Sequence, residues 1–194
     1  MIFAALDFET ANNDKISACS LGIVILDENL NVINKYYSLI RPPELRFCPI
    51  CSQIHGLSEE EITAAPTFDT LWPRIQELLG TYPIVAHNAG FDVNVLKSLI
   101  DHYSLKTINF DYYCTFQMSR KLMPNMPSYK LSYIMNEEFK LKYKEHDAYE
   151  DALCCGILFT HLLKLNIAKC KTYPKKIYTK KDNRKPLILA PKQK

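Results

Sequence analysis

No apolar run in the chain approaches the roughly 20 residues that a membrane-spanning helix needs, and the opening MIFAAL run has no basic leader of the signal type. No membrane partner is expected, and a soluble, cytoplasmic protein is. A disulfide framework is also missing. The seven cysteines, Cys19, Cys48, Cys51, Cys114, Cys154, Cys155 and Cys170, are odd in number and scattered, which fits a reducing compartment. Cys48-Pro-Ile-Cys51 has the spacing of half a zinc site, yet no second pair accompanies it and His55 alone leaves the tetrahedron incomplete. There is no internal repeat, which excludes solenoids, and no low-complexity segment outside a lysine-rich C terminus.

What remains is enough for one sizeable core: 194 residues, 47% hydrophobic, too short for two comfortable domains. The net charge of +3 hides an asymmetry. Residues 169–194 hold ten of the 24 Lys and Arg against a single acid, Asp182, so a body of net charge −6 over residues 1–168 wears a tail of +9. Such tails are commonly solvated and flexible, and they suit phosphate backbones. Lys175, Lys176, Lys180, Lys181, Arg184 and Lys185 form its basic run.

Along the body, MIFAALDFE, ISACSLGIVILDE and NVINKYYSLIRP read as three consecutive strands, the last two joined by a turn at DENLN. Residues 42–57 read as a loop. Ser58 with Glu61 forms a capping-box signature for a short helix, and a second helix runs from Thr67 to a stop at Gly80. PIVAHN is a short strand, and apolar residues at 91, 95, 96, 99 and 100 give the following segment helical spacing. NFDYY is a further strand, followed by helices over CTFQMSRKLM and over LSYIMNEEF, with Ser128 as a candidate cap. A long helix then places Ala148, Ala152, Cys155, Phe159 and Leu162 on one face. Three strands followed by alternating helices and strands predict an α/β sandwich with a mixed, five-stranded sheet flanked by helices.

Two carboxylates, Asp7 and Glu9, end the first strand one residue apart and therefore share a face. Like charges held this close oppose each other's ionisation unless a cation lies between them. Asp92 follows the strand PIVAHN at the start of a helix, and Asp151 lies one turn into the final helix. Ligands in open α/β sheets collect beyond strand ends, so the four carboxylates are expected to meet in one cleft. Hard divalent ions, Mg²⁺ or Mn²⁺, suit such oxygen donors, and four carboxylates suffice for two. A pair of ions roughly 4 Å apart can bind a phosphodiester, activate water and stabilise the leaving oxygen. His146 stands five residues before Asp151, and an imidazole is the side chain type suited to take a proton from a metal-bound water near neutral pH.

DFET, HNAGFD and HDAYED resemble, in order and spacing, the three motifs of the DnaQ-like DEDDh 3′→5′ exonucleases, the group that contains the proofreading subunit of bacterial DNA polymerase III. IHGLSEEEI also looks like the segment that precedes the second motif there. The resemblance covers residues 1–168 and implies an RNase H-like three-layer sandwich with Asp7, Glu9, Asp92 and Asp151 as metal ligands and His146 as the base. It implies stepwise release of nucleoside 5′-monophosphates from the 3′ end of DNA or RNA with two divalent cations, in replication or repair. The tyrosine-base branch of the family would need Tyr where Asp147 stands, so the histidine type is indicated, and Asp147 reads as a charge favoured by the helix dipole. Cys114-Thr115 departs from the family's common Asp-Thr pair.

Around these residues, Thr10 and Asn88 adjoin metal ligands and are candidates to contact the terminal nucleotide. Phe8 either stacks on a base or packs in the core. His55 either reaches the nucleic acid or makes a loop hydrogen bond. His87 reads as satisfying a strand end, and His102 and His161 as mid-helix residues without a role. A second reading is a nucleic-acid-binding or proofreading module that acts within a polymerase or repair complex. DNA and RNA are not distinguished, because a single-stranded 3′ end is read largely through backbone and stacking.

Overall fold

The computed structural model describes residues 1–168, with side chains to residue 165, and beyond them the strands Lys176–Tyr178 and Leu187–Ile188. The three expected strands are β1 (Ile2–Thr10), β2 (Ala18–Asp27) and β3 (Val32–Leu39), paired antiparallel. β4 (Ile84–Ala86) runs parallel to β1, and β5 (Phe110–Cys114) parallel to β4. These five form the expected mixed sheet in the order β3-β2-β1-β4-β5. β6 (Lys176–Tyr178) and β7 (Leu187–Ile188) extend it antiparallel beyond β5. They fall within the stretch expected as a basic, flexible tail; the rest of that stretch lies outside the described residues.

Alternation along β1 decides the two cores. Ala4, Leu6 and Phe8 face α3 (Phe68–Leu79) and α4 (Gly90–His102), joining Phe68, Trp72, Ile75, Leu96 and Leu99. Phe3 and Ala5 face the other way, toward α5 (Thr115–Leu122), α6 (Leu131–Phe139) and α7 (Ala148–Ala168). On that side Phe3 meets Phe159 edge-on at 4.8 Å. Asp7 and Glu9 continue the Phe3–Ala5 face out of the core and into solvent reach. The α7 face predicted from spacing is buried: Ala148, Ala152, Cys155, Phe159 and Leu162 are each at most 1% exposed.

Two glycines permit α7 to sit this close. A Cβ on Gly22, the β2 partner of Asp7, would stand 2.1 Å from the Ala148 carbonyl oxygen, and one on Gly156 would stand 2.5 Å from Leu26. The start of α7 is thereby pinned beside the carboxylate end of β1.

Several boundaries differ from expectation. Within residues 42–57, α1 (Pro49–His55) forms; Cys48 at its N-cap offers no side-chain cap, and the proline-rich approach reads as loop. The capping box does form on α2 (Glu59–Ala64), where Ser58 Oγ accepts from the Glu61 N–H and Glu61 accepts from the Ser58 N–H. Ser128 does not cap α6: Lys130 holds that position in extended backbone, and Ser128 Oγ accepts from the Lys130 N–H instead. Cys114 closes β5 rather than opening α5, and His102 ends α4 rather than lying within it. Among the described residues, no helix is long and apolar enough to cross a membrane.

Candidate active site

β1 and β4 are parallel and end at the same edge of the sheet, and the chain leaves β4 through His87 and Asn88 straight into α4. Asn88 adopts a left-handed backbone, φ 61°, which turns the chain so that α4 begins over the end of β1. Asp92, in the first turn of α4, is 1% exposed, and the Phe8 N–H donates to its Oδ1 at 3.1 Å. That bond ties the second acidic motif to the first. Between Glu9 and Thr10 the β1–β2 register shifts by a bulge, which re-aims the strand end at the site.

Asp151 arrives from the opposite side on α7. Its Oδ1 accepts from the Tyr143 hydroxyl at 2.7 Å and its Oδ2 from the His146 N–H at 2.7 Å. His146 is itself left-handed, φ 61°, a conformation that costs a non-glycine residue about 1–3 kcal/mol and that the bond to Asp151 holds in place. Its ring is half exposed, and Nδ1 stands 3.7 Å from Glu9 Oε1. Asp147 is the N-cap of α7: its Oδ1 accepts from the N–H groups of Tyr149 and Glu150, and Lys144 pairs with its other oxygen at 3.5 Å.

The result is one cleft of about 570 Å³ lined by all nine residues singled out from the sequence: Asp7, Phe8, Glu9, Thr10, His55, Asn88, Asp92, His146 and Asp151. Its electrostatics are those of anions crowded together. Burial, then Asp92, Asp151 and Glu9, push the Asp7 carboxyl well above the usual carboxylate range. Burial and the charges of Asp151 and Asp92 push Glu9 up to about 8. Burial lifts Asp92 to about 7 against the opposing bond from Phe8, and lifts Asp151 against its two donors.

Such a cluster fits hard divalent cations. The donors are carboxylate oxygens, and ligand atoms of Glu9, His146 and Asp151 lie within 4.8 Å of one another, the one such grouping found among the described residues. Cys48 and Cys51 are not part of it.

The other candidates separate cleanly. The Phe8 ring is 3% exposed and packs on Phe68 at 6.5 Å, so of its two readings the ring takes the core one, and the residue serves the site through its N–H. His55 is buried; its Nδ1 accepts from the Leu57 N–H at 3.0 Å, which leaves the proton on Nε2, and Nε2 has no partner among the described residues. A buried donor without a partner on a cleft wall awaits an acceptor. His87 is structural: Nε2 donates to the Tyr129 carbonyl and Nδ1 accepts from the Thr115 hydroxyl, each at 2.9 Å, and burial lowers it to about 4. Tyr143, whose hydroxyl donates to Asp151, also lines the cleft, and spacing did not find it.

The chain is similar to known proteins. The model of the family RNase_T, described as exonuclease, matches residues 4–159. The chain is 29% identical over 152 residues to the 3′-5′ exonuclease DinG of Staphylococcus epidermidis, covering 77% of this chain and 17% of that protein. It is 28% identical over 166 residues to the PolC-type DNA polymerase III of Caldanaerobacter subterraneus, covering 83% and 11%. The chain thus spans less than a fifth of the length of these curated relatives. Among solved structures, the nuclease domain of 3′hExo, a DEDDh family member, bound to rAMP superposes with a TM-score of 0.70 at 17% identity, over 84% of this chain and 92% of that one. Exonuclease X in complex with 5′ overhanging duplex DNA gives 0.64 at 21%, over 88% and 94%. These likenesses establish the same RNase H-like fold.

Proposed function

The chain belongs to the RNase_T exonuclease family, and on that premise we propose that it hydrolyses phosphodiester bonds one at a time from the 3′ end of a nucleic acid, releasing nucleoside 5′-monophosphates. The observation that carries this reading is the convergence of Asp7, Glu9, Asp92 and Asp151 with the half-exposed His146 in one cleft. The four carboxylates would hold two divalent cations, Mg²⁺ or Mn²⁺, which when bound polarise the phosphoryl oxygens and make water acidic.

The chain's own groups do the rest. His146 accepts the proton of the attacking water, with Glu9 beside its Nδ1 to stabilise the imidazolium that forms. Its backbone bond to Asp151 keeps base and carboxylate at fixed separation. As the P–O3′ bond breaks, the departing oxygen takes a proton and carries away the shortened strand. The His55 Nε2–H donates to the strand, and Asn88 and Thr10, on the cleft wall beside Asp92 and Glu9, contact the terminal nucleotide. The ligands of the structural neighbours, rAMP and 5′ overhanging duplex DNA, support nucleic acid as the substrate class. The basic run of the tail would add sequence-independent contacts to phosphate.

A 5′-labelled oligonucleotide tests the reading. Expected are a ladder that shortens in single steps from the 3′ end, nucleoside 5′-monophosphates as products, and silence in EDTA. Internal fragments, or shortening from the 5′ end, would refute it. The relation to DinG and PolC-type polymerase supports a second reading, an exonuclease module that serves a polymerase or repair partner. Activity that appears only after lysate is added would select it.

A further inference from the structure

Two of the six described cysteines differ from the rest. Cys19, Cys114, Cys154 and Cys155 are buried, whereas Cys48 and Cys51 are partly exposed. The pair sits on one turn. Cys48 precedes α1 in extended backbone, and Pro49 takes the first helical position, where its missing N–H costs no bond. The Ser52 N–H donates to the Cys48 carbonyl at 3.0 Å and closes the turn, while the Cys48 N–H donates to Ala11 O at 2.8 Å and ties it to the segment just beyond β1.

Residues three apart in a helical turn have Cα atoms about 5 Å apart, inside the range a disulfide spans. Both thiols are free, and each bears on the protonation of the other. The two thiols are also unequal. The Cys51 N–H and then the Cys51 thiol hold Cys48 below its ordinary value, whereas burial and Cys48 push Cys51 up. One exposed sulfur is thus suited to attack, and a more protected one, on the cleft wall with Ile54 and His55, to resolve.

We propose that Cys48 and Cys51 form a thiol–disulfide exchange site at the rim of the cleft, with Cys51 on its wall and Cys48 outside it, and with a small-molecule disulfide of the glutathione class as its oxidant. Cys48, as thiolate, attacks one sulfur of the disulfide RSSR; the S–S bond breaks and the first thiolate leaves, taking up the proton that Cys48 released. Cys51 then loses its proton and attacks the Cys48 sulfur, expelling the second thiolate. Two protein thiols are oxidised to one disulfide, and one RSSR is reduced to two RSH. The site stands independently of the substrate the cleft takes.

The test uses the full chain equilibrated across a series of oxidised-to-reduced glutathione ratios, blocked with iodoacetamide and digested with trypsin. Peptide 47–74 contains Cys48 and Cys51 and no other cysteine. As the ratio rises it is expected to lose two hydrogens and both alkylation sites, while Cys19, Cys114, Cys154 and Cys155 remain alkylatable after denaturation. In Cys51→Ser a glutathione adduct should accumulate on Cys48, which the wild type resolves. Two alkylatable thiols on peptide 47–74 at every ratio would overturn the proposal. So would pairing of either residue with another cysteine, or an adduct that builds up on Cys51 of Cys48→Ser and not on Cys48 of Cys51→Ser.

Discussion

On one side of the cleft Asp7 and Glu9 stand on β1, a strand with neighbours on both edges, and Asp92 is tied to that strand by the Phe8 N–H. On the other side His146 stands in a turn before α7, half exposed and left-handed, and is fixed through its bond to Asp151. The strand side is positioned by the fold itself, with buried core directly behind it. The helix side is positioned by a few polar bonds that converge on Asp151, and by the close seat of α7 against Gly22. The first holds three of the four carboxylates; the second holds Asp151 and the proposed base.

The largest effect should come from removing charge. Asp7→Ala, Asp92→Ala and Asp151→Ala are each expected to cost several orders of magnitude in turnover while the protein stays folded, by circular dichroism. Near-wild-type cleavage by any of them would break the equivalence of the carboxylates across the two sides. His146→Ala should lower kcat by about 10²–10⁴ with divalent-cation binding little changed, since the side chain is proposed to move a proton and not to hold the ions. A titration with Mn²⁺ beside the rate measurement separates those roles.

Gly22→Ala then asks whether the sides are independent. The new methyl meets the Ala148 backbone, so the start of α7 must shift. A misplacement near 1 Å can cost about 10² in rate, and the overpacking about 1–3 kcal/mol in stability. Unchanged kinetics and melting would show that α7 is not held by this contact. Tyr143→Phe is the gentlest change. It deletes one hydrogen bond to Asp151, worth roughly 1.5 kcal/mol, and should slow cleavage about tenfold with no change in the shape of the pH profile.

The same contrast explains what could be read from the chain. Strand alternation places Asp7 and Glu9 on one face, and the capping box at Ser58 marks a helix start, because both are local patterns that the sheet and helix then realise. α1 escaped because Cys48 caps with no side-chain bond, and Lys130 displaced Ser128 because the chain stays extended up to Leu131. Tyr143 and Gly22 were out of reach for a different reason. Tyr143 acts across eight residues of chain from an irregular segment, and Gly22 matters through a neighbour that only the tertiary fold supplies. Phe8 could be placed near the site by sequence, but its ring turned inward because strand alternation puts it on the core face.

The central claim is that the cleft holds carboxylates against their own repulsion and that divalent cations relieve it. Glu9 and Asp92 are raised in the folded protein, to about 8 and about 7 from 4.5 and 3.8. Groups raised in this way stabilise the fold fully at low pH and lose that contribution as pH climbs toward the folded values. The buried His87 has the opposite sense, because it is lowered to about 4 from 6.5, and its contribution fades as pH rises about one unit above 6.5. His55 and His161 are lowered as well, so between pH 6.5 and 8 the histidines can only add a small rise in stability, and a net fall across that window comes from the carboxylates. Melting temperature should be measured across that window in EDTA, in excess Mn²⁺, and for Glu9→Gln in EDTA. The account predicts a fall with rising pH in EDTA, a rise in melting temperature on adding Mn²⁺ that is largest at pH 8, and a shallower fall for Glu9→Gln. A metal-free melting temperature that is flat or rising over this window, with no response to Mn²⁺, would contradict it.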